Sequence, residues 1–293
     1  MSASLFSKIY SFARYRKIFG EIVLMSMLIP ARKKLTVKSI QKLKGKEKVV
    51  MVTAYDALFA SLLEEDADLI LVGDSLNMSL LGKGDTLSAT MDQMIYHTKA
   101  VCSGAQSPII IFDMPFGYYN TKEEALKNAT RVYKETCADA IKIEGGRERV
   151  EIVEHLVKNG IAVISHIGLM PQFVRADGGY KVRGKTSEDA AALLEDAKIL
   201  EQAGAFAILL EGIKSEVATK ITDEVKIPTI GIGAGVGCDG QVLVWSDMFG
   251  FFESFKPKFV KKYLEGAKLI REAFSEYKQD VKSGKFPTDE FSY

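Results

Sequence analysis

Residues 140–169, AIKIEGGRERVEIVEHLVKNGIAVISHIGL, read as a strand, a helix and a second strand. The segments AIKIEGG and IAVISHIGL are short and rich in β-branched residues. They are apolar nearly throughout, as strands buried on both faces are. The segment between them has helical period and stops at Asn159-Gly160. Two strands joined through a helix make a βαβ unit, the building block of a parallel sheet.

The same pattern extends in both directions. Further strands are expected at 49-VVMVTAY, 68-DLILVGDS, 108-PIIIFDMPF, 205-AFAILLEGI, 227-IPTIGIGAG and 240-GQVLVWSD, with helices between them. Thr121-Lys122-Glu123-Glu124 is a capping box and Ala203-Gly204 a helix stop. The connection Val236–Asp239 is too short for a helix, so one unit is irregular. Residues 258–283 are expected to form a closing helix. Strands and helices in this alternation predict an α/β fold, a (β/α)8 TIM barrel, with an open doubly wound sheet as the alternative. No linker composition interrupts the pattern and no repeat is visible. The expected organisation is one domain: an N-terminal extension over residues 1–34, a catalytic barrel over 35–285, and a C-terminal tail over 286–293.

The 293 residues, 47% hydrophobic and 26% charged, have a globular balance that excludes disordered, collagen-like and disulfide-stapled classes. Residues 1–48 hold 12 Lys/Arg against 2 Asp/Glu, which leaves 27 against 36 for the remainder of the chain. The body is therefore mildly acidic and unsuited to nucleic acid. No apolar run reaches the roughly 20 residues of a membrane span, so no membrane partner is expected. Cys102, Cys137 and Cys238 show neither a CxxC nor a zinc spacing, so free thiols and a reducing cytoplasm are the expectation. The basic arm before Glu21 has three readings: a transit-type segment, a membrane-surface helix, or residues upstream of a start at Met25 or Met27. The last is favoured.

In a barrel of this type, the C-terminal strand ends build the active site. Those ends carry Asp74 and Ser75, Asp113, then Lys142 and Glu144 two apart on one face, His166, and Glu211. Four carboxylates at one mouth exceed what a single lysine neutralises, and an all-oxygen set suits a hard divalent ion such as Mg2+. Salt bridges and caps are the plainer reading for any one of these acids alone. His97 and His155 lie on helices and read as structural, and His166 is a site-lining residue without an assigned role. Gly235, Gly237 and Gly240 formally match GxGxxG, but a strand follows where the dinucleotide fingerprint needs a helix. Those glycines make either a tight turn or an anion cradle.

The blocks 53-TAYD, 72-VGDSL, 94-MIYHTKAV, 113-DMPF, 142-KIEGG, 166-HIGLMPQ, 178-GGYKVRGK, 231-GIGAG and 239-DGQVLV occur in that order across about residues 35–275. In this ordered set the sequence resembles the ketopantoate hydroxymethyltransferase family. The resemblance implies a (β/α)8 barrel assembled as a homodecamer in the cytoplasm. It implies transfer of a hydroxymethyl group from 5,10-methylenetetrahydrofolate to the keto acid 3-methyl-2-oxobutanoate, giving 2-dehydropantoate through a metal-stabilised enolate, for pantothenate biosynthesis. One Mg2+ per subunit would sit on Asp74, Asp113 and Glu144. Keto-acid contacts would fall on Asp74, Ser75, Asp113 and Lys142, and Glu211 would be the proton acceptor. Asn77 and Gly82-Lys83-Gly84 depart from the family's usual wording. Two other classes are weighed beside this one: a Mg2+-dependent carbon–carbon lyase of the phosphoenolpyruvate mutase type, and a scaffold that kept the fold and lost the reaction.

Overall fold

The computed structural model describes residues 32–253 and 257–293. The chain divides into two units, Met1–Lys34 and Leu35–Tyr293, and the elements below belong to the second. The sequence reading of residues 1–26 lies outside the described residues.

Eight strands close into a parallel barrel in sequence order. They are β1 (Val49–Thr53), β2 (Leu69–Val72), β3 (Ile109–Asp113), β4 (Ala140–Glu144), β5 (Val163–Gly168), β6 (Ala207–Glu211), β7 (Thr229–Ile232) and β8 (Gly240–Leu243). After a short α1 (Val37–Gln41), the chain places α2 (Ala57–Leu63), α3 (Leu76–Ser79), α4 (Met91–Gly104), α5 (Lys122–Glu135), α6 (Val150–Lys158), α7 (Ser187–Gln202) and α8 (Ser215–Glu224) after successive strands. Seven residues with no helix join β7 to β8, the irregular unit anticipated from the sequence. Then come α9 (Trp245–Met248) and α10 (Gly266–Ser283).

Strand parity sorts the core into two layers. Val52, Ile70, Ile110, Ile141, Val163 and Ile208 face outward and pack under the helices. Met51, Leu69, Leu71, Ile109, Ile111, Ala140, Ile164, Leu209, Ile230 and Val242 fill the barrel interior. Continuing the interior rows of β3 to β6 in steps of two toward the C-terminal end reaches Asp113, Lys142 and then Glu144, His166 and Glu211. The rows that supply aliphatic packing below therefore supply charge at the mouth. Register sets neighbours side by side: Asp113 opposite Lys142, and Glu144 opposite His166.

Three local expectations are corrected. Thr121 accepts from the Glu124 N–H, but the Glu124 carboxylate turns to the Asn120 N–H instead of completing a box on Thr121. The closing helix starts at Gly266, not at 258. Tyr263 and Gly266 donate their N–H groups to Met248 and Phe249 carbonyls, which removes the donors that an earlier helical turn would use. Of the three thiols only Cys238 is free, and it is buried. Cys102 at the end of α4 and Cys137 beyond α5 are joined as a disulfide, with Cα atoms 5.8 Å apart and a sequence separation of 35. Spacing could not show this pair, because the packing of α4 against α5 creates it.

Candidate active site

The cavity at the C-terminal mouth, of about 220 Å³, is lined by Asp74, Ser75, Asp113, Lys142, Glu144, His166 and Glu211 together. Every site residue named from the sequence thus lines this cavity. At its centre Lys142 Nζ lies 2.7 Å from Asp113 Oδ1 and 3.1 Å from Glu144 Oε1, all three groups being buried. The Asp74 N–H donates to Asp113 Oδ2 at 3.1 Å, tying the end of β2 to β3. His166 stands between two acids: Nδ1 is 3.4 Å from Glu144 Oε1 and Nε2 is 3.4 Å from Glu211 Oε2. Ser75 Oγ is held 2.7 Å from the Tyr55 hydroxyl.

The charges do not balance. Burial first, and the Asp113 carboxylate second, push Asp74 well above the usual carboxylate range. Asp113 is raised as well, by burial and by Glu144, with Lys142 opposing. Glu144 is buried too, but Lys142 and then His166 outweigh the desolvation and hold it at about 2. Burial alone would lower Lys142; Asp113, Glu144 and Asp74 keep it well above its ordinary value and charged. Glu211 is 20% exposed, yet desolvation outweighs His166 and carries its carboxyl to about 7.

Backbone geometry delivers these groups. Gly168, at φ +105°, ends β5 where a Cβ would lie 2.2 Å from the Glu211 carbonyl oxygen. Only glycine therefore lets β5 and β6 run together at the mouth. The glycine-rich stretch after β7 settles as a tight turn: a Cβ on Gly237 would strike Thr219 and one on Gly235 would strike Ser215. Asn77 donates to the Thr86 carbonyl and to Ser88, so it braces the loop after α3. His97 bonds the Tyr55 carbonyl and is structural.

Sequence reasoning missed two residues. Gln172, in the turn after β5, donates its side-chain N–H to Asp74 and its backbone N–H to Glu144. It stood in the block 166-HIGLMPQ without any chemical signal of its own. Asp247 on α9 also lines the cavity, as do the apolar residues Val244, Pro257 and Phe259. Its partly buried carboxyl is raised by desolvation, and no ion-pair partner faces it among the described residues. Its signal was weak because 240-GQVLVWSD reads as strand to its end.

The ketopantoate hydroxymethyltransferase family model matches residues 34–289. The chain belongs to that family. It is 59% identical over 269 residues to the 3-methyl-2-oxobutanoate hydroxymethyltransferase of Aliarcobacter butzleri, covering 92% of this chain and all of the relative. The enzyme of that name from Helicobacter pylori is 58% identical over the same shares, and the one from Wolinella succinogenes 59% over 89% of this chain and all of the relative. Family membership makes the chain a hydroxymethyltransferase, a transferase of pantothenate biosynthesis. Among solved structures, phosphonopyruvate hydrolase superposes with a TM-score of 0.58 at 13% identity over 88% of this chain and 92% of that one. The 2,3-dimethylmalate lyase, a PEP mutase/isocitrate lyase superfamily member, gives 0.57 at 18% over the same shares. At those identities the likeness is one of fold.

Proposed function

We propose that this mouth converts 3-methyl-2-oxobutanoate, 5,10-methylenetetrahydrofolate and water into 2-dehydropantoate and tetrahydrofolate, with Asp74, Asp113 and Glu144 holding Mg2+ and Glu211 taking the proton. The observation that carries this reading is a carboxyl set near 7 facing an acid cluster with more negative charge than its one lysine balances. Raised pKa values at Asp74 and Asp113 mark uncompensated charge, and oxygen-only donors fit a hard cation. Among the described residues no three acids form a ready-made shell. Lys142 holds Asp113 and Glu144, and Mg2+ commonly binds through one or two carboxylates with water and substrate oxygens completing its sphere. Bound there, Mg2+ would supply Lewis acidity to the keto acid's carboxylate and 2-oxo oxygens.

The chain's own residues do the rest. Lys142 offers its ammonium to negative charge developing on the substrate. Ser75, held by Tyr55, contacts the keto acid's oxygens. Glu211 accepts the C3 proton; at about 7 its carboxyl is half ionised at neutral pH and more basic than an ordinary glutamate. His166, 3.4 Å from its Oε2, keeps it facing the cavity. Water opens the folate's one-carbon bridge, breaking its two C–N bonds to leave tetrahydrofolate and a formaldehyde-level carbon; the C3 carbanion adds to that carbon, and its oxygen takes a proton to become the new hydroxyl. The folate's flat ring packs on the apolar lining residues Val244, Pro257 and Phe259. There Asp247, which has no ion-pair partner among the described residues, meets the amino and N–H donors of the pterin.

The same proposal includes the domain limits 35–285 with flanking segments 1–34 and 286–293, a cytoplasmic setting, and a homo-oligomer, by family resemblance a decamer. A cytoplasmic setting is supported by the biosynthetic activity of the family. The Cys102–Cys137 disulfide stands against that setting, since a reducing compartment disfavours such bonds. Among the described residues, no helix is long and apolar enough to cross a membrane. Oligomerisation is supported by α10, an 18-residue helix whose Ile270, Phe274, Tyr277 and Val281 share one stripe and are all exposed. A contiguous apolar stripe of this kind marks an interface. Turnover with and without methylenetetrahydrofolate tests the reaction: product formed equally well without the folate would refute it and favour a lyase.

A further inference from the structure

Gln172 is 2% exposed, sits in the turn Pro171–Phe173 beyond β5, and has every polar atom of its side chain engaged. Its Nε2 donates to Asp74 Oδ2 at 2.9 Å and to the Met114 carbonyl at 3.0 Å. Its Oε1 accepts from the Tyr119 hydroxyl at 2.5 Å. Its backbone N–H donates to Glu144 Oε2 at 3.0 Å. One residue thus touches two of the three acids proposed to hold the metal, through independent groups.

The amide has only one workable orientation. Turned over, its oxygen would face the Met114 carbonyl, two acceptors with no proton between them, and its NH2 would face the donating Tyr119 hydroxyl. The Tyr119 hydroxyl reinforces the choice by donating to Oε1. Tyr119 is in turn buried under the Arg149 guanidinium, 5.0 Å from its ring centre. The Tyr119–Gln172–Asp74 chain therefore locks one Asp74 oxygen in place. The other oxygen is left to turn toward the cavity that Asp74 lines.

We infer that Gln172 is a positioning residue for divalent-cation binding, acting on Asp74 through its side chain and held in register by Tyr119. This rests on the proposed ligand role of Asp74. Groups that orient metal-binding carboxylates typically contribute about 10- to 100-fold in metal affinity. The turn itself and the Glu144 contact depend on the backbone, so removing the amide leaves them in place.

The test uses the full chain and Mn2+ as a paramagnetic probe, its dissociation constant read by electron paramagnetic resonance with and without keto acid. Gln172→Met keeps the length and removes the amide. It should raise the constant about 10- to 100-fold. Steady-state assays should show a raised requirement for Mg2+, with kcat recovered at saturating metal, a split that a merely structural role would not produce. Tyr119→Phe should act in the same direction more weakly and add nothing to Gln172→Met. In a double-mutant cycle Gln172→Met should be non-additive with Asp74→Asn and additive with Glu144→Gln. If Gln172→Met fails to fold, Tyr119→Phe decides alone, and an unchanged Mn2+ constant in it overturns the inference. Unchanged binding in Gln172→Met where Asp74→Asn weakens it overturns the inference and spares the metal site. Unchanged binding in Asp74→Asn itself overturns both.

Discussion

Replacing Glu211 by Gln keeps its shape and removes both its basicity and its charge, so two consequences can be worked from one number. Its carboxyl stands at about 7 in the fold against an ordinary value of 4.5, chiefly because burial disfavours the charged form. That displacement is worth about 3 kcal/mol at about 1.4 kcal/mol per tenfold. The folded state holds the proton more tightly than the unfolded chain. Stability is therefore highest below 4.5 and falls as pH rises through 4.5 to about 7, where the ionised group bears its full desolvation cost. Glutamine never ionises. Glu211→Gln should therefore match wild type near pH 4.5 and be more stable by up to about 3 kcal/mol at pH 8. Function moves the opposite way. Exchange of the C3 proton of the keto acid with deuterated water, followed by NMR without folate, should fall by about 10²–10⁴-fold. In wild type, exchange should rise with pH around 7 and require Mg2+. Thermal unfolding at the two pH values and the exchange rate together check the reasoning. Normal exchange in Glu211→Gln would refute its role as base and shift it to His166 or water. Equal stabilities at pH 8 would refute the desolvation. Wild-type exchange indifferent to Mg2+ would refute metal assistance.

Asp74→Ala and Asp113→Ala should each weaken Mg2+-dependent keto-acid binding, measured by calorimetry, with the fold retained. Glu144→Ala should weaken it too, and Asp113→Ala and Glu144→Ala should each cost about 3–5 kcal/mol of stability, since each strips buried Lys142 of a partner; unchanged affinity in all three would remove the metal assignment. Asp247→Asn should raise the KM for methylenetetrahydrofolate about tenfold or more by leaving pterin donors poorly matched, with the keto-acid KM little affected; the reverse pattern would place the folate elsewhere. Ile270→Glu with Phe274→Glu should dissociate the native assembly, read by sedimentation, because two charges cannot be buried in an apolar interface.

The barrel was legible because its information is local. Short, nearly continuous apolar runs such as IAVISHIGL and helix stops such as Asn159-Gly160 and Ala203-Gly204 each speak for their own segment. Eight such segments in alternation leave few ways to bury them. Gly160 and Gly204 do take left-handed conformations at helix ends, as their positions suggested. The charged residues were legible by the same rule, since a carboxylate or lysine ending an otherwise apolar strand is locally improbable without a task. Tertiary structure decided what depends on contacts between distant segments. The start of α10 was set by carbonyls of Met248 and Phe249, and the partner of Cys102 by the packing of α4 on α5. Gln172 is polar and unremarkable in sequence, and only the return of the turn after β5 over β2 and β4 lays its amide on Asp74 and its N–H on Glu144. The basicity of Glu211 likewise belongs to no residue type. Its neighbours in sequence allow burial, but the mouth of the closed barrel, with His166 and Glu144 across from it, sets the value at about 7. Composition and order of residues determine which groups are present and on which face of each strand. Desolvation, ion pairing and hydrogen-bond partners arise only when the strands close, because each is a property of the space between segments.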